Sequence, residues 1–111
     1  MSTAAGREGE SLAASFLETL GYRILKRNLR GPGGEIDILA RDGPTLVFVE
    51  VKAREGRRFG SAIASVDARK RARLRACAED FLQFLPAATK VRFDVVTLER
   101  GKPVLHRDAF A

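Results

Sequence analysis

The sequence predicts a single α/β domain spanning 1–111, in which a mixed β-sheet of about five strands is flanked by helices. Three observations predict this fold class. A length of 111 residues suits one compact domain. Hydrophobic residues make up 45% of the chain and charged residues 31%, which is typical of a globular protein with a core. Segments with helical periodicity alternate with short apolar runs between glycine and proline turns, in the order α-β-β-β-α-β-β.

The first half of the chain predicts one helix and three strands. The helix covers 4–20, because apolar residues recur there at helical spacing and Gly21 follows. The three strands are predicted at 22–30, 35–41 and 46–54. The loop GPGG and the turn DGPT separate them, since glycine and proline disfavour continuation of a strand.

The second half predicts a long helix and two further strands. The helix begins at Ser65 and ends before Pro86, which cannot continue it. A fourth strand follows at 90–99, and Val104 to Arg107 form a short fifth strand. His106, the only histidine, is expected at a strand end near the surface and outside a catalytic site.

Charge and composition narrow the classes of partner and location. Twenty basic residues, fifteen of them arginine, stand against fourteen acidic ones and give a net charge of +6. This balance favours a polyanion such as nucleic acid, because guanidinium groups pair with phosphate bidentately, although an arginine-rich source genome would give the same bias. With no membrane-length apolar run, no secretory signal and a single cysteine, we expect a cytoplasmic protein with no membrane partner.

Charged residues interrupt the two central strands. Glu50 and Lys52 lie in the apolar run LVFVEVKAR, and Glu35 and Asp37 lie in the strand before it. If the two strands form a hairpin with its turn at 42–45, the residue numbers of cross-strand partners sum to 87. Asp37 then opposes Glu50, and Glu35 opposes Lys52. All four side chains lie on the face of the sheet that carries Leu39. Opposed carboxylates repel each other, and a divalent cation such as Mg²⁺ would relieve that repulsion. The alternative interpretation is ordinary cross-strand ion pairing.

Two further charged residues lie on predicted helix faces that point to the sheet. Glu10 falls at the edge of the apolar face of the first helix, one heptad before Leu17. Lys70 falls near the centre of the apolar stripe of the long helix, where it either extends along its stem to solvent or meets an anion.

These residues resemble a known set. Gly34-Glu35-Ile36-Asp37 followed by Glu50-Val51-Lys52 resembles the PD-(D/E)XK nuclease superfamily, without the proline of the motif name. The ordered segments GREGE, RNLR, GEIDILA, VFVEVKAR and RFDVV resemble the YraN family of small bacterial proteins over nearly the whole chain. The implied fold is a restriction-endonuclease-like domain, similar to archaeal Holliday-junction resolvases and tRNA-splicing endonucleases.

The resemblance implies a divalent-metal-dependent endonuclease acting on DNA rather than RNA, with branched DNA among the candidate substrates. Asp37, Glu50 and the backbone carbonyl of Val51 would hold Mg²⁺ or Mn²⁺. Lys52 would orient the attacking water, Glu10 would act through metal or water, and Glu35 would support them. The expected contacts with nucleic acid are Arg54, Arg57, Arg58, Lys70 and Arg73.

The analogy with resolvases also implies a homodimer. Two other classes of function stay open: a non-catalytic nucleic-acid-binding module with the nuclease fold, and an interaction protein whose basic face binds an acidic partner.

Overall fold

The computed structural model describes residues 4–31, 34–54 and 68–109, without the side chains of 4–6, Arg54 and Lys70. The elements follow in the predicted order: α1 (Ala4–Thr19), β1 (Arg23–Gly31), β2 (Gly34–Asp42), β3 (Thr45–Arg54), α2 (Ala68–Leu82), β4 (Lys90–Glu99) and β5 (Lys102–His106). The predicted beginning of α2 at Ser65 lies outside the described residues. Within them, no helix combines the length and apolarity that crossing a membrane requires.

The five strands form one mixed sheet in the order β1-β2-β3-β4-β5. Strands β1, β2 and β3 make an antiparallel meander, since short turns connect them. Strand β4 runs parallel to β3, because α2 lies in the crossover between them, and β5 returns antiparallel to β4. The predicted α/β class with a mixed five-stranded sheet is therefore confirmed.

The hairpin of β2 and β3 has the predicted register. Leu39 pairs with Phe48, and Arg41 pairs with Leu46, so the residue numbers sum to 87 as expected. Gly43 in the turn has a φ of +58°, which glycine adopts without a steric penalty. This register fixes which side of the sheet each β3 side chain occupies.

Two apolar clusters cover the two faces of the sheet. Helix α1 contributes Ala13 and Leu17 to the α1-side core, which also contains Val47 and Val49. Helix α2 packs on the opposite face and forms the α2-side core with β-strand residues that include Phe48. The Phe48 ring stacks on Phe93 at 5.5 Å between centroids and meets the edge of Phe81 at 6.2 Å. Successive β3 residues thus alternate between two buried faces.

A paired polar network ties the strands together at the end of the sheet near the β2–β3 turn. Asp94, fully buried, accepts hydrogen bonds from the Tyr22 hydroxyl at 2.8 Å, from Arg92 Nε at 2.8 Å and from the Asp108 amide at 2.9 Å. Arg92 also donates to Asp42 at 2.9 Å. Burial and the adjoining Asp94 carboxylate raise the pKa of Tyr22. Every charge in this network has an opposite or polar partner.

Candidate functional site

Strand β2 changes its orientation at Asp37. Asn28 of β1 has a φ of +56°. It lies between two ladder pairs of β1 and β2, Arg27–Ile38 and Leu29–Ile36. In a regular strand, residues two apart share a face. Here Ile38 belongs to the α1-side core, whereas Ile36 belongs to the α2-side core. The alternation therefore reverses at Asp37, opposite the left-handed Asn28.

The reversal also ends the ladder between β2 and β3. The last described pair is Ile38–Val49, so the predicted pairs of Asp37 with Glu50 and of Glu35 with Lys52 lie beyond it. Beyond this pair, the Val51 amide donates a hydrogen bond to the side chain of Asp37, at 2.9 Å from Oδ2. The carboxylate of Asp37 is thereby fixed to the backbone of β3.

Three carboxylates meet where the strands separate. Oxygen atoms of Glu10, Glu35 and Asp37 all lie within 4.8 Å of one another. Glu10 extends from the second turn of α1, and the reversal places Glu35 on the α1 side. The prediction that Glu35 shares the face of Leu39 is therefore wrong, because it assumed unbroken alternation along β2.

The environment of Glu10 makes its negative charge costly. Glu10 is 6% exposed, and its pKa is raised first by burial and then by the charges of Asp37 and Glu35. Arg27, at 3.9 Å from Glu10 Oε1, and the Asn28 side chain oppose that rise. Glu10 Oε1, Arg27 Nε and Asn28 Oδ1 are buried without a hydrogen-bond partner in the described part of the chain. Such groups carry an uncompensated desolvation cost.

This donor set fits a hard divalent cation. Mg²⁺ and Mn²⁺ favour carboxylate and carbonyl oxygens. Ligands on opposite sides of a Mg²⁺ ion are ~4 Å apart, from metal–oxygen distances of ~2.1 Å. Carboxylate oxygens within 4.8 Å of one another can reach such positions by small side-chain rotations. Glu10 Oε1 is buried, has no hydrogen-bond partner in the described residues and has only the Arg27 guanidinium at 3.9 Å, so it is the atom that a cation would satisfy.

Glu50 and Lys52 lie on β3, outside this carboxylate group. The alternation of β3 is unbroken, since Phe48 faces the α2 side and Val51 packs on the α1-side core. Glu50 and Lys52 therefore face the α2 side, as predicted. Glu50 is 7% exposed and Lys52 is half-buried. Among the described residues, no ion pair or hydrogen bond involves the Lys52 ammonium, whereas Glu35 forms a cross-strand ion pair with Arg30 on β1, at 3.5 Å between Oε2 and Nε.

Sequence reasoning missed two contributors to this region. Asn28 lies on β1 opposite the reversal and has a positive φ, and its only sequence signal is a polar residue inside RNLR. Thr97, fully buried in β4, has its Oγ1 atom 3.0 Å from His106 Nε2. The prediction that His106 ends a strand is confirmed, but its ring is half-buried and hydrogen-bonded to the core. The signal for Thr97 was a hydroxyl within the apolar run VVTL.

The predicted nucleic-acid contacts are described only in part. Arg73 is exposed on α2. Arg57 and Arg58 lie outside the described residues, and the side chains of Arg54 and Lys70 are likewise not described. The proposed binding surface therefore stays a prediction.

Comparison with known proteins identifies the family. The model of the uncharacterised protein family UPF0102 matches residues 9–98. A UPF0102 protein of Symbiobacterium thermophilum is 49% identical over 102 residues, which cover 91% of this chain and 86% of the relative. One from Xanthomonas euvesicatoria pv. vesicatoria is 49% identical over 95% of this chain and 89% of the relative, and one from Thermodesulfovibrio yellowstonii is 43% identical over 87% of both. The chain belongs to the UPF0102 family, which confirms the YraN resemblance.

Proposed function

We propose that this UPF0102 member is a divalent-metal-dependent endonuclease that hydrolyses phosphodiester bonds in DNA. One observation carries the proposal: the buried Glu10 Oε1 has no hydrogen-bond partner in the described chain and lies among the carboxylates of Glu35 and Asp37. The like charges of this group repel one another and are offset in part by Arg27, 3.9 Å from Glu10, and by Arg30, 3.5 Å from Glu35; a divalent cation would relieve the remaining repulsion. The positive charge and the arginine content favour the polyanionic substrate.

Glu10, Glu35 and Asp37 would hold Mg²⁺ or Mn²⁺. Bound there, the ion would polarise the phosphodiester and lower the pKa of a bound water. Asp37 would keep a fixed position, because the Val51 amide donates to one of its oxygens. Glu50 and the Val51 carbonyl follow Asp37 in the superfamily motif and are further ligands in the proposal; because Glu50 faces the α2 side, it would have to approach the ion beyond the end of the β2–β3 ladder at Ile38–Val49.

Lys52 would contact the phosphate. Its half-buried ammonium has no anionic partner in the described chain, so a substrate phosphate can take that position. An ammonium beside the phosphate stabilises the charge that develops in the transition state. Arg73, with Arg54, Arg57, Arg58 and Lys70, would bind flanking phosphates. A cytoplasmic location and a homodimer that cuts both strands belong to the same proposal.

The test is a cleavage assay with a matched pair of lysine variants. Wild type, Lys52→Ala and Lys102→Ala are incubated with Mg²⁺, Mn²⁺ or chelator and with linear, flapped and four-way DNA, and with RNA of the same sequence. We expect metal-dependent DNA cleavage by wild type and by Lys102→Ala, since Lys102 is exposed on β5. Lys52→Ala should lose cleavage while its DNA affinity stays within a few-fold, because a transition-state contact is removed.

Two outcomes contradict the proposal. Equal cleavage by Lys52→Ala and wild type would remove Lys52 from the mechanism. DNA binding by wild type without cleavage under any metal condition would favour the non-catalytic binding module.

A further inference from the structure

His106 occupies a position in the sheet that sequence alone does not reveal. Three strands contribute polar residues to one region of the α2-side face. Glu50 and Lys52 come from β3, Thr97 comes from β4, and His106 comes from β5. Val95 packs in the α2-side core, and Leu105 packs on the α1-side core. By alternation, Thr97 and His106 therefore face the same side as Lys52.

The register brings these residues into two adjoining rows. Lys52 pairs with Thr97, which pairs with Val104 on the far side. Glu50 pairs with Val95, which pairs with His106. The hydrogen bond between His106 and Thr97 joins the second row to the first. The imidazole is therefore turned toward the row that contains Lys52.

We propose that His106 is a further substrate-contacting residue that binds a DNA phosphate beside Lys52, with Thr97 as the residue that orients its ring. The inference rests on the proposed function for its substrate class. Neighbouring strands lie ~4.8 Å apart. Strands β3 and β5 are two such spacings apart, with β4 between them; the His106 ring lies against Thr97 of β4, so an extended Lys52 side chain can contact the same phosphate group.

The hydrogen bond to Thr97 determines which ring atom meets the substrate. Thr97 is fully buried, so its hydroxyl is sequestered from a ligand and acts only on His106. In the first case the ring is neutral and the Thr97 hydroxyl donates to Nε2, so the ring proton is on Nδ1. In the second case the ring is an imidazolium, so Nε2 donates to Thr97 and Nδ1 also carries a proton. In both cases Nδ1–H is the donor left for a phosphate oxygen, whereas a neutral ring that donates Nε2–H to Thr97 leaves Nδ1 without a proton and cannot bind a phosphate in this way.

The experiment uses the fact that His106 is the only histidine, so its ring signals are unique in an NMR spectrum. Ring ¹H and ¹⁵N shifts of the full chain are recorded in chelator, where no cleavage occurs, during titration with a short duplex DNA and separately with inorganic phosphate. We expect the Nδ1 signal to shift on DNA addition. His106→Gln should weaken DNA binding about tenfold, as for loss of one hydrogen bond to a charged group.

Three variants separate positioning from general effects of charge and folding. Thr97→Val removes the hydroxyl at nearly constant volume and should weaken binding several-fold, whereas Thr97→Ser keeps the hydroxyl and should restore it. Arg107→Gln removes a charge next to His106 in the chain, but its guanidinium lies over the Tyr22 ring at 5.7 Å. It should leave the ring shift of His106 intact. The amide spectrum of each variant reports whether the fold is retained.

The outcomes distinguish this inference from the proposed function. A ring shift on DNA addition together with weakened binding by His106→Gln supports the inference even if no metal condition gives cleavage. Ring signals that stay constant at saturating DNA, in a protein that cleaves DNA, overturn the inference and leave the nuclease proposal standing. Wild-type protein that binds no DNA overturns both.

Discussion

Glu10→Gln should make the metal-free protein more stable. Glu10 has two carboxylate neighbours within 4.8 Å and one guanidinium at 3.9 Å. At an effective dielectric constant of ~20, each repulsion is about 3.5 kcal/mol and the attraction about 4.3 kcal/mol, which leaves a net cost of about 2.7 kcal/mol. Partial exposure of the neighbours reduces it further. We expect a gain of about 1–2 kcal/mol in the free energy of unfolding, or roughly 4–8 °C in Tm.

The gain should depend on pH in a defined direction. The pKa of Glu10 in the folded protein is raised above its ordinary value of 4.5, so the folded state binds more protons than the unfolded state. The negative charge of Glu10 lowers the free energy of unfolding by its full amount at pH values above the pKa of Glu10 in the folded protein. It has no effect at pH values below the pKa of Glu10 in the unfolded chain. The stability difference between Glu10→Gln and wild type should therefore be largest near neutral pH. It should shrink as the pH falls and vanish below about 4.5.

Thermal melts in chelator and in millimolar Mn²⁺ measure both effects. A metal at 100 times its Kd stabilises the folded state by about 2.7 kcal/mol, so wild type should gain stability on Mn²⁺ addition. Glu10→Gln should gain much less. Glu18→Gln is the matched control, because Glu18 is exposed on the same helix and should change neither melt. A wild type indifferent to Mn²⁺, with a destabilised Glu10→Gln, would refute the metal-site argument.

Three further predictions test the elements around the site. Asp37→Ala should lower the free energy of unfolding of the metal-free protein by about 1–3 kcal/mol in urea, because the Val51 amide loses its acceptor. Asp37→Asn keeps an acceptor and should be nearly neutral. Equal losses in the two variants would exclude that hydrogen bond as the cause. Asn28→Ala should lower the free energy of unfolding by about 1 kcal/mol more than Asn28→Gly in the same measurement, since glycine adopts the positive φ without penalty and alanine does not. The reverse order would contradict a left-handed residue at this position. Arg73→Ala should lower the salt dependence of DNA binding, log K against log [salt], by about 1, while the exposed Arg23→Ala should leave it unchanged; a constant slope in both would place the DNA surface elsewhere.

The fold was predictable because local signals determine it. Glycine and proline in DGPT fix the β2–β3 turn, and the turn fixes the register from Leu39–Phe48 to Arg41–Leu46. Unbroken alternation along β3 then correctly placed Glu50 and Lys52 on one face. These features depend on residues close together in the chain, which is why a single sequence contains them.

The composition of the carboxylate group was predictable only in part. Glu10 was expected at the sheet, and Asp37 was expected as a ligand. Glu35 was expected on the wrong face, because nothing in β2 itself signals the reversal at Asp37. The unusual backbone conformation that accompanies the reversal lies on another strand, where Asn28 has a positive φ. A change of backbone conformation that arises from a cross-strand neighbour cannot be deduced from the alternation of one strand.

Two of the buried acidic residues, Asp94 and Glu10, differ in how the chain compensates their charge. Asp94 is as inaccessible as Glu10, yet a hydroxyl, a guanidinium and an amide all donate to its two oxygens. Its burial is compensated within the chain, as expected for a carboxylate that holds strands together. Glu10 faces two other carboxylates, and one of its oxygens has no donor in the described residues. Stability alone would favour an apolar residue or a donor at that position, and this difference from Asp94 is the argument for the proposed cation site.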